Sequence, residues 1–262
     1  MGNNKELVQL AERLWVPKDF GKSHRYFADQ EARKPYTGVT TVLGVLAKPA
    51  LIGWAARMTA EWIRENCGEK VFQVGAGLKP TGNPIYMVDE DQLQEAVKAH
   101  TKKKEAGGQK GTDLHSEVEA WIKNTIATNT MEYSSLQSPG LKAFVKWACD
   151  NEVKFLASEK QVYHSDPSMW YAGTFDFSFE KDGKRFIGDL KTMKKLWDRT
   201  PFFQTAAYMM ASEHMGEEPY DGSCIVNVSK ETNELTDHWT FDHESDRKAF
   251  GAALTLYKAL NN

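Results

Sequence analysis

Asp176, Asp189 and Lys191 lie within residues 173–192, GTFDFSFEKDGKRFIGDLKT, where aromatic and polar residues alternate on both sides of Asp182-Gly183. Asp-Gly between two alternating runs signals a two-residue hairpin turn, because the primed turns need positive φ. With 182 and 183 as the turn, Glu180 faces Arg185, Phe179 faces Phe186, Asp176 faces Asp189 and Thr174 faces Lys191. Alternation then groups Phe175, Phe177 and Phe179 with Phe186, Gly188 and Leu190 on one face, and Asp176, Asp189 and Lys191 on the other. Opposed residues have Cβ atoms roughly 4.5–5.5 Å apart, and like charges at that spacing are destabilising. A divalent cation resolves the conflict: two carboxylates, a backbone carbonyl and waters are hard oxygen ligands for Mg²⁺ or Mn²⁺. A lysine two residues further on can hold a phosphate oxygen or help activate a water. The chemistry this suggests is metal-assisted attack on a phosphodiester. The competing reading is a solvent-facing strand pair with an ordinary surface ion pair.

Alternating, β-rich segments run from about 153 to 241, and a helix over PFFQTAAYMMASEHM splits them. Before them, GTDLHSEVEAWIKNTI and SPGLKAFVKWACDNEV carry helical periodicity, and SDRKAFGAALTLYKAL closes the chain as a further helix. On the first of these helices His115 and Glu119 are four apart and share a face. Glu119 reads either as a supporting acid or as a solvated one. The region 1–105 reads as mainly helical, with a helix over about 89–104 that ends at EAGGQKG. The expectation is one α/β domain over 1–262, a mixed β-sheet flanked by helices: 1–105 a mainly helical N-terminal portion, 106–262 the catalytic core.

Composition is ordinary for a globular protein: 262 residues, 41% hydrophobic and 26% charged. The net charge of -3 carries no global basic signal, so a polyanion must be met by local patches or bound cations. Cys67, Cys149 and Cys224 form no Cys-x-x-Cys pair and are too few for a four-thiolate zinc or iron–sulfur site. The stretch from Met1 to Arg13 lacks a signal-peptide core, and no run of about 18 apolar residues occurs, so the expectation is a soluble, cytoplasmic protein with no membrane partner.

Gly173-Thr174-Phe175-Asp176, Asp189-Leu190-Lys191-Thr192 and Gln204-Thr205-Ala206-Ala207-Tyr208, in that order, resemble the PD-(D/E)xK nuclease superfamily. The likeness is to its RecB-type branch, which includes phage exonucleases and the mitochondrial genome maintenance exonuclease. It extends more weakly to GTDLHSEVEAW and SEKQVYH. The proline of the family's name is replaced here by Phe175, and the four-cysteine iron–sulfur cluster of some relatives is absent. The resemblance implies a restriction-endonuclease-like core and a metal-dependent deoxyribonuclease, an exonuclease of DNA replication, recombination or repair. Endonuclease action, or a non-catalytic DNA-binding or recombination-accessory role, are the alternatives.

By the same resemblance, His115, Asp176, Asp189 and the Leu190 carbonyl would hold one or two Mg²⁺ or Mn²⁺ ions. Lys191 and Glu159 would position or deprotonate the attacking water, Gln204 would stand near the active groups, and Tyr208 near the DNA backbone. Lys194, Lys195, Trp197 and Arg199 interleave charge and aromatic surface as a phosphate-and-base contact does. Lys102, Lys103, Lys104 and Lys110 form a second basic cluster. Partners would be DNA, single- or double-stranded, and a recombination or replication protein.

Overall fold

A computed structural model describes residues 7–19, 25–46, 49–70, 85–133 and 136–261, without the side chains of 49, 50, 69, 70, 85 and 104–112. The chain divides into two compact units, one formed by 1–46 with 111–262 and the other by 47–110.

In the first unit the described residues begin with a hairpin, β1 (Leu7–Ala11) and β2 (Leu14–Pro17), paired antiparallel. The expected helical N-terminus is therefore strand here. Leu14 and Val16 alternate inward onto Tyr26, Tyr36 and Ala172, and that burial selects period 2 over 3.6. After β3 (Thr37–Gly38) comes the short α1 (Val39–Leu43). The smaller unit holds α2 (Pro49–Asn66), β4 (Glu69–Lys70) and β5 (Ile85–Tyr86), and α3 runs as one helix over Glu90–Thr128. Gly107-Gly108, read above as a break, lies inside that helix. A glycine costs only about 1 kcal/mol there, and the packing of Leu114, Val118, Trp121 and Ile122 on the core outweighs it.

Then follow α4 (Pro139–Asp150), β6 (Lys154–His164), β7 (Tyr171–Lys181), β8 (Lys184–Lys191), α5 (Thr200–His214), β9 (Gly222–Val228), β10 (Leu235–Thr240) and α6 (His243–Asn261). Six strands form one mixed sheet, ordered β10-β9-β8-β7-β3 with β6 on the other edge of β7; β8–β9 and β3–β7 are parallel. The protein is thus α/β, a mixed sheet flanked by helices. Among the described residues no helix is long and apolar enough to cross a membrane.

The turn at Asp182-Gly183 has φ of 52° and 70°, the left-handed conformation its residues tolerate. The register follows as expected from Lys181↔Lys184 to Phe177↔Gly188, and there the ladder stops. Asp176 and Asp189 are not a cross-strand pair. Beyond this point the same edge of β7 is taken up by β3, at Tyr171 and Ala172. The expected shared face of the three phenylalanines breaks at the same place. Phe177 and Phe179 pack with Phe144 and Leu190, whereas Phe175 packs with Val39, Ile187 and Tyr208. Opposite the break, Glu159 on β6 has φ 50°, a left-handed residue inside a strand. The sheet is therefore split between β7 and β8, with Asp176 and Glu159 at the split.

Candidate active site

The split leaves the end of β8 without a β7 backbone partner, and Asp176 takes that place: the Leu190 N–H donates to its carboxylate at 2.7 Å. The carbonyl of the same Leu190 accepts from His115 Nε2 at 2.8 Å, and His115 Nε2 stands 3.6 Å from Asp176 Oδ2. His115 is brought there because its helical neighbours Leu114 and Val118 bury against Phe177 and Leu190. A small cleft is lined by His115, Glu119, Glu159, Asp176 and Leu190. Glu119, left open between two roles above, lies in that cleft and also pairs with Lys123.

On the other side of the split, Lys191 Nζ lies 2.6 Å from Asp189 Oδ2 and donates to Gln204 Oε1 at 3.3 Å. Gln204 Nε2 donates to the Tyr208 hydroxyl at 2.8 Å. This i, i+4 pair on α5 forms a rack that holds the lysine. Gly173 makes room for it, since a Cβ at 173 would come within 2.4 Å of Tyr208 Cε1. Tyr208 is 2% exposed and packs in the core beneath the site. Its expected contact with a nucleic-acid backbone is thus corrected: Tyr208 orients Gln204.

The electrostatics follow from burial and sign. Burial works to raise Asp176, but the His115 hydrogen bond, Lys191 and the Leu190 N–H outweigh it and hold this carboxyl below the usual range. Asp189, 1% exposed, is pushed up to about 6 by burial, with Asp176 adding to the rise and Lys191 opposing it. Burial works against the charge on Lys191, yet Asp189 and Asp176 keep its pKa above the ordinary lysine value. Glu159 rises to about 7, through burial first and then the charges of Asp176 and Glu119. Asp176 is thus held ionised, Asp189 and Glu159 titrate closer to neutral pH than free carboxyls do, and the half-buried Lys191 ammonium stands among them.

Among the described residues, no group of three or more His, Cys, Asp and Glu side chains is gathered closely enough to hold a metal ion. What converges is one imidazole, one carboxylate and one peptide carbonyl, with Asp189 behind Lys191.

The loop after β8 carries the basic and aromatic residues. Lys194 pairs with Glu231 at 3.0 Å, and Lys195 lies over the Trp197 ring at 5.5 Å. Arg199, expected at a phosphate, instead grips Asp246: Nη2 donates to both carboxylate oxygens at 2.9 Å. Its planar fork satisfies a buried acid, while 55% of the arginine side chain stays exposed. Trp170, half-buried, stacks on Tyr36 and donates to the Pro35 carbonyl, and Tyr171 is buried. Lys102 pairs with Glu95; the side chains of Lys104 and Lys110 lie outside the described residues. Asn227, which the sequence reading passed over, accepts from Met193 N at 3.0 Å and donates to Met193 O at 3.1 Å. An asparagine inside a buried strand was the available signal.

No protein-family profile matches the chain, and no curated protein matches it. The solved structure "Crystal structure of SSO0001" is similar at 12% identity over 47% of this chain, with a TM-score of 0.32; the match spans 58% of that chain. A likeness of that size carries no argument about fold or function.

Proposed function

We propose that the chain is a divalent-cation-dependent deoxyribonuclease with a PD-(D/E)xK core, an exonuclease acting in DNA replication, recombination or repair. The observation that carries the reading is the split between β7 and β8. There Asp176, His115 and the Leu190 carbonyl meet, with Lys191 held between Asp189 and Gln204.

The donor set suits a hard cation: carboxylate and carbonyl oxygens with one imidazole, in surroundings that Glu119 and Glu159 make more acidic. His115, Asp176, Asp189 and the Leu190 carbonyl would hold Mg²⁺ or Mn²⁺. For His115 and Leu190 to serve one ion, the hydrogen bond that now joins them has to open. A bound cation supplies Lewis-acid polarisation of the phosphoryl oxygen and neutralises charge developing there.

The chain's own groups do the remaining work. Glu159, poised near neutral pH, accepts the proton of an attacking water. Lys191 stays protonated and donates to a phosphate oxygen, a preorganised charge that costs no reorganisation. Gln204, fixed by Tyr208, sets the direction in which that ammonium points.

The test is incubation of labelled linear and circular DNA with Mg²⁺ or Mn²⁺. Ends degraded and circles spared is the expected result. Cut circles would make it an endonuclease, and intact DNA a non-catalytic binder. Asp189→Ala and Lys191→Ala are expected to abolish cleavage; parental activity in either sinks the site.

A further inference from the structure

Trp197 is 77% exposed, the most exposed aromatic side chain among the described residues. The loop that carries it is fastened at both ends. At its start the buried Asn227 amide pairs with both backbone polar groups of Met193, as a strand partner would. Next to it, Lys194 pairs with Glu231 of the β9–β10 turn. At its end Arg199 is locked onto Asp246, which is 1% exposed, and its guanidinium lies over the Phe202 ring. Freeing Arg199 would strand a buried carboxylate, so that end does not let go. The loop joins Lys191, the last residue of β8, to α5, whose Gln204 is in contact with Lys191, so Trp197 belongs to a loop that starts and ends beside the site.

We infer that Trp197 is a preset stacking platform for one unpaired nucleobase, which makes single-stranded DNA the substrate class, with Asn227 as the residue that positions the platform. This rests on the nuclease reading above. Lys195 holds its ammonium over one face of the indole, 5.5 Å from the ring centroid, so a base would stack on the opposite face with that charge close to the strand's phosphate. Inside a duplex both faces of every base are covered by neighbours, so apart from the terminal pair of an open end only an unpaired base presents a face to the ring. A ring already held in place loses little freedom on binding, and the anchors give it that advantage.

Binding is measured by anisotropy in EDTA, without cleavage, using the full chain with a labelled oligothymidylate and a labelled, covalently closed circular duplex that has no ends. Trp197→Ala is expected to weaken single-strand binding roughly 5- to 150-fold, the span of one base–aromatic stack, and to leave duplex binding unchanged. Trp197→Phe recovers most of the loss. Asn227→Asp keeps the acceptor for Met193 N but loses the donor, and weakens single-strand binding only while Trp197 is present. The proposal is overturned if Trp197→Ala binds the single strand as the parent does, or loses equally on both DNAs. An Asn227→Asp effect that persists in the Trp197→Ala background removes the positioning role. A parent that cuts DNA while Trp197→Ala binds single strands normally leaves the nuclease reading standing; a parent that neither cuts nor binds DNA removes both.

Discussion

Replacing Glu159 by glutamine should stabilise the protein above neutral pH and leave it nearly unchanged in acid. The native carboxyl titrates near 7 against an ordinary 4.5, because it is largely buried and faces Asp176 and Glu119. A raised acid pKa means the folded state binds the proton more tightly than the unfolded one. Below pH 4.5 both states are protonated and no difference arises. Between 4.5 and 7 the unfolded chain has released its proton while the native one keeps it, so stability falls as pH rises. Above 7 the whole cost is present, and at 1.36 kcal/mol per pKa unit it amounts to about 3 kcal/mol. Glutamine has the same shape and tolerates the same left-handed backbone about equally, but carries no charge. The assay is thermal and urea denaturation of parent and Glu159→Gln in EDTA at pH 4.5 and pH 8. A gain of about 3 kcal/mol at pH 8 corresponds to a Tm rise of roughly 6–12 °C for a chain of this size. A divalent cation should shrink the gap, since it stabilises the ionised carboxylates of the parent. Equal stability differences at both pH values, or a less stable variant at pH 8, would refute the reasoning.

Tyr208→Phe removes the acceptor of the Gln204 amide and should cost about 1 kcal/mol of stability, while lowering turnover and leaving DNA affinity in EDTA at the parental value. A loss of affinity alone would restore Tyr208 as a direct DNA contact. Arg199→Ala leaves Asp246 buried without its guanidinium and should destabilise by about 3–5 kcal/mol in chemical denaturation, with lysine a poor substitute because it cannot satisfy both carboxylate oxygens. A near-neutral Arg199→Ala would return this arginine to the surface role read from the sequence.

Much of the fold was legible because its signals are local. Asp182-Gly183 set a register that holds from Lys181↔Lys184 to Phe177↔Gly188, and the strand and helix sequence from 139 onward follows alternation and periodicity. The N-terminal hairpin and the unbroken α3 were misread for one reason. Leu14, Val16 and the Leu114–Ile122 face are decided by burial against distant segments, which outweighs local propensity. Arg199 and Tyr208 looked like nucleic-acid contacts for a related reason, since nothing near them in sequence announces Asp246 or the core under Gly173.

The sequence alone determined which residues were available for chemistry: Asp176, Asp189, Lys191, His115, Glu159 and the i, i+4 pair Gln204 and Tyr208. Only the tertiary structure decided how they meet. Register arithmetic assumes a regular ladder, and it set Asp176 against Asp189. The folded chain ends that ladder one pair earlier, opposite the left-handed Glu159, so that Asp176 binds the Leu190 N–H while Asp189 turns to Lys191. A strand's pairing can be computed from a turn, but where it stops depends on what competes for its backbone, and those competitors come from elsewhere in the chain.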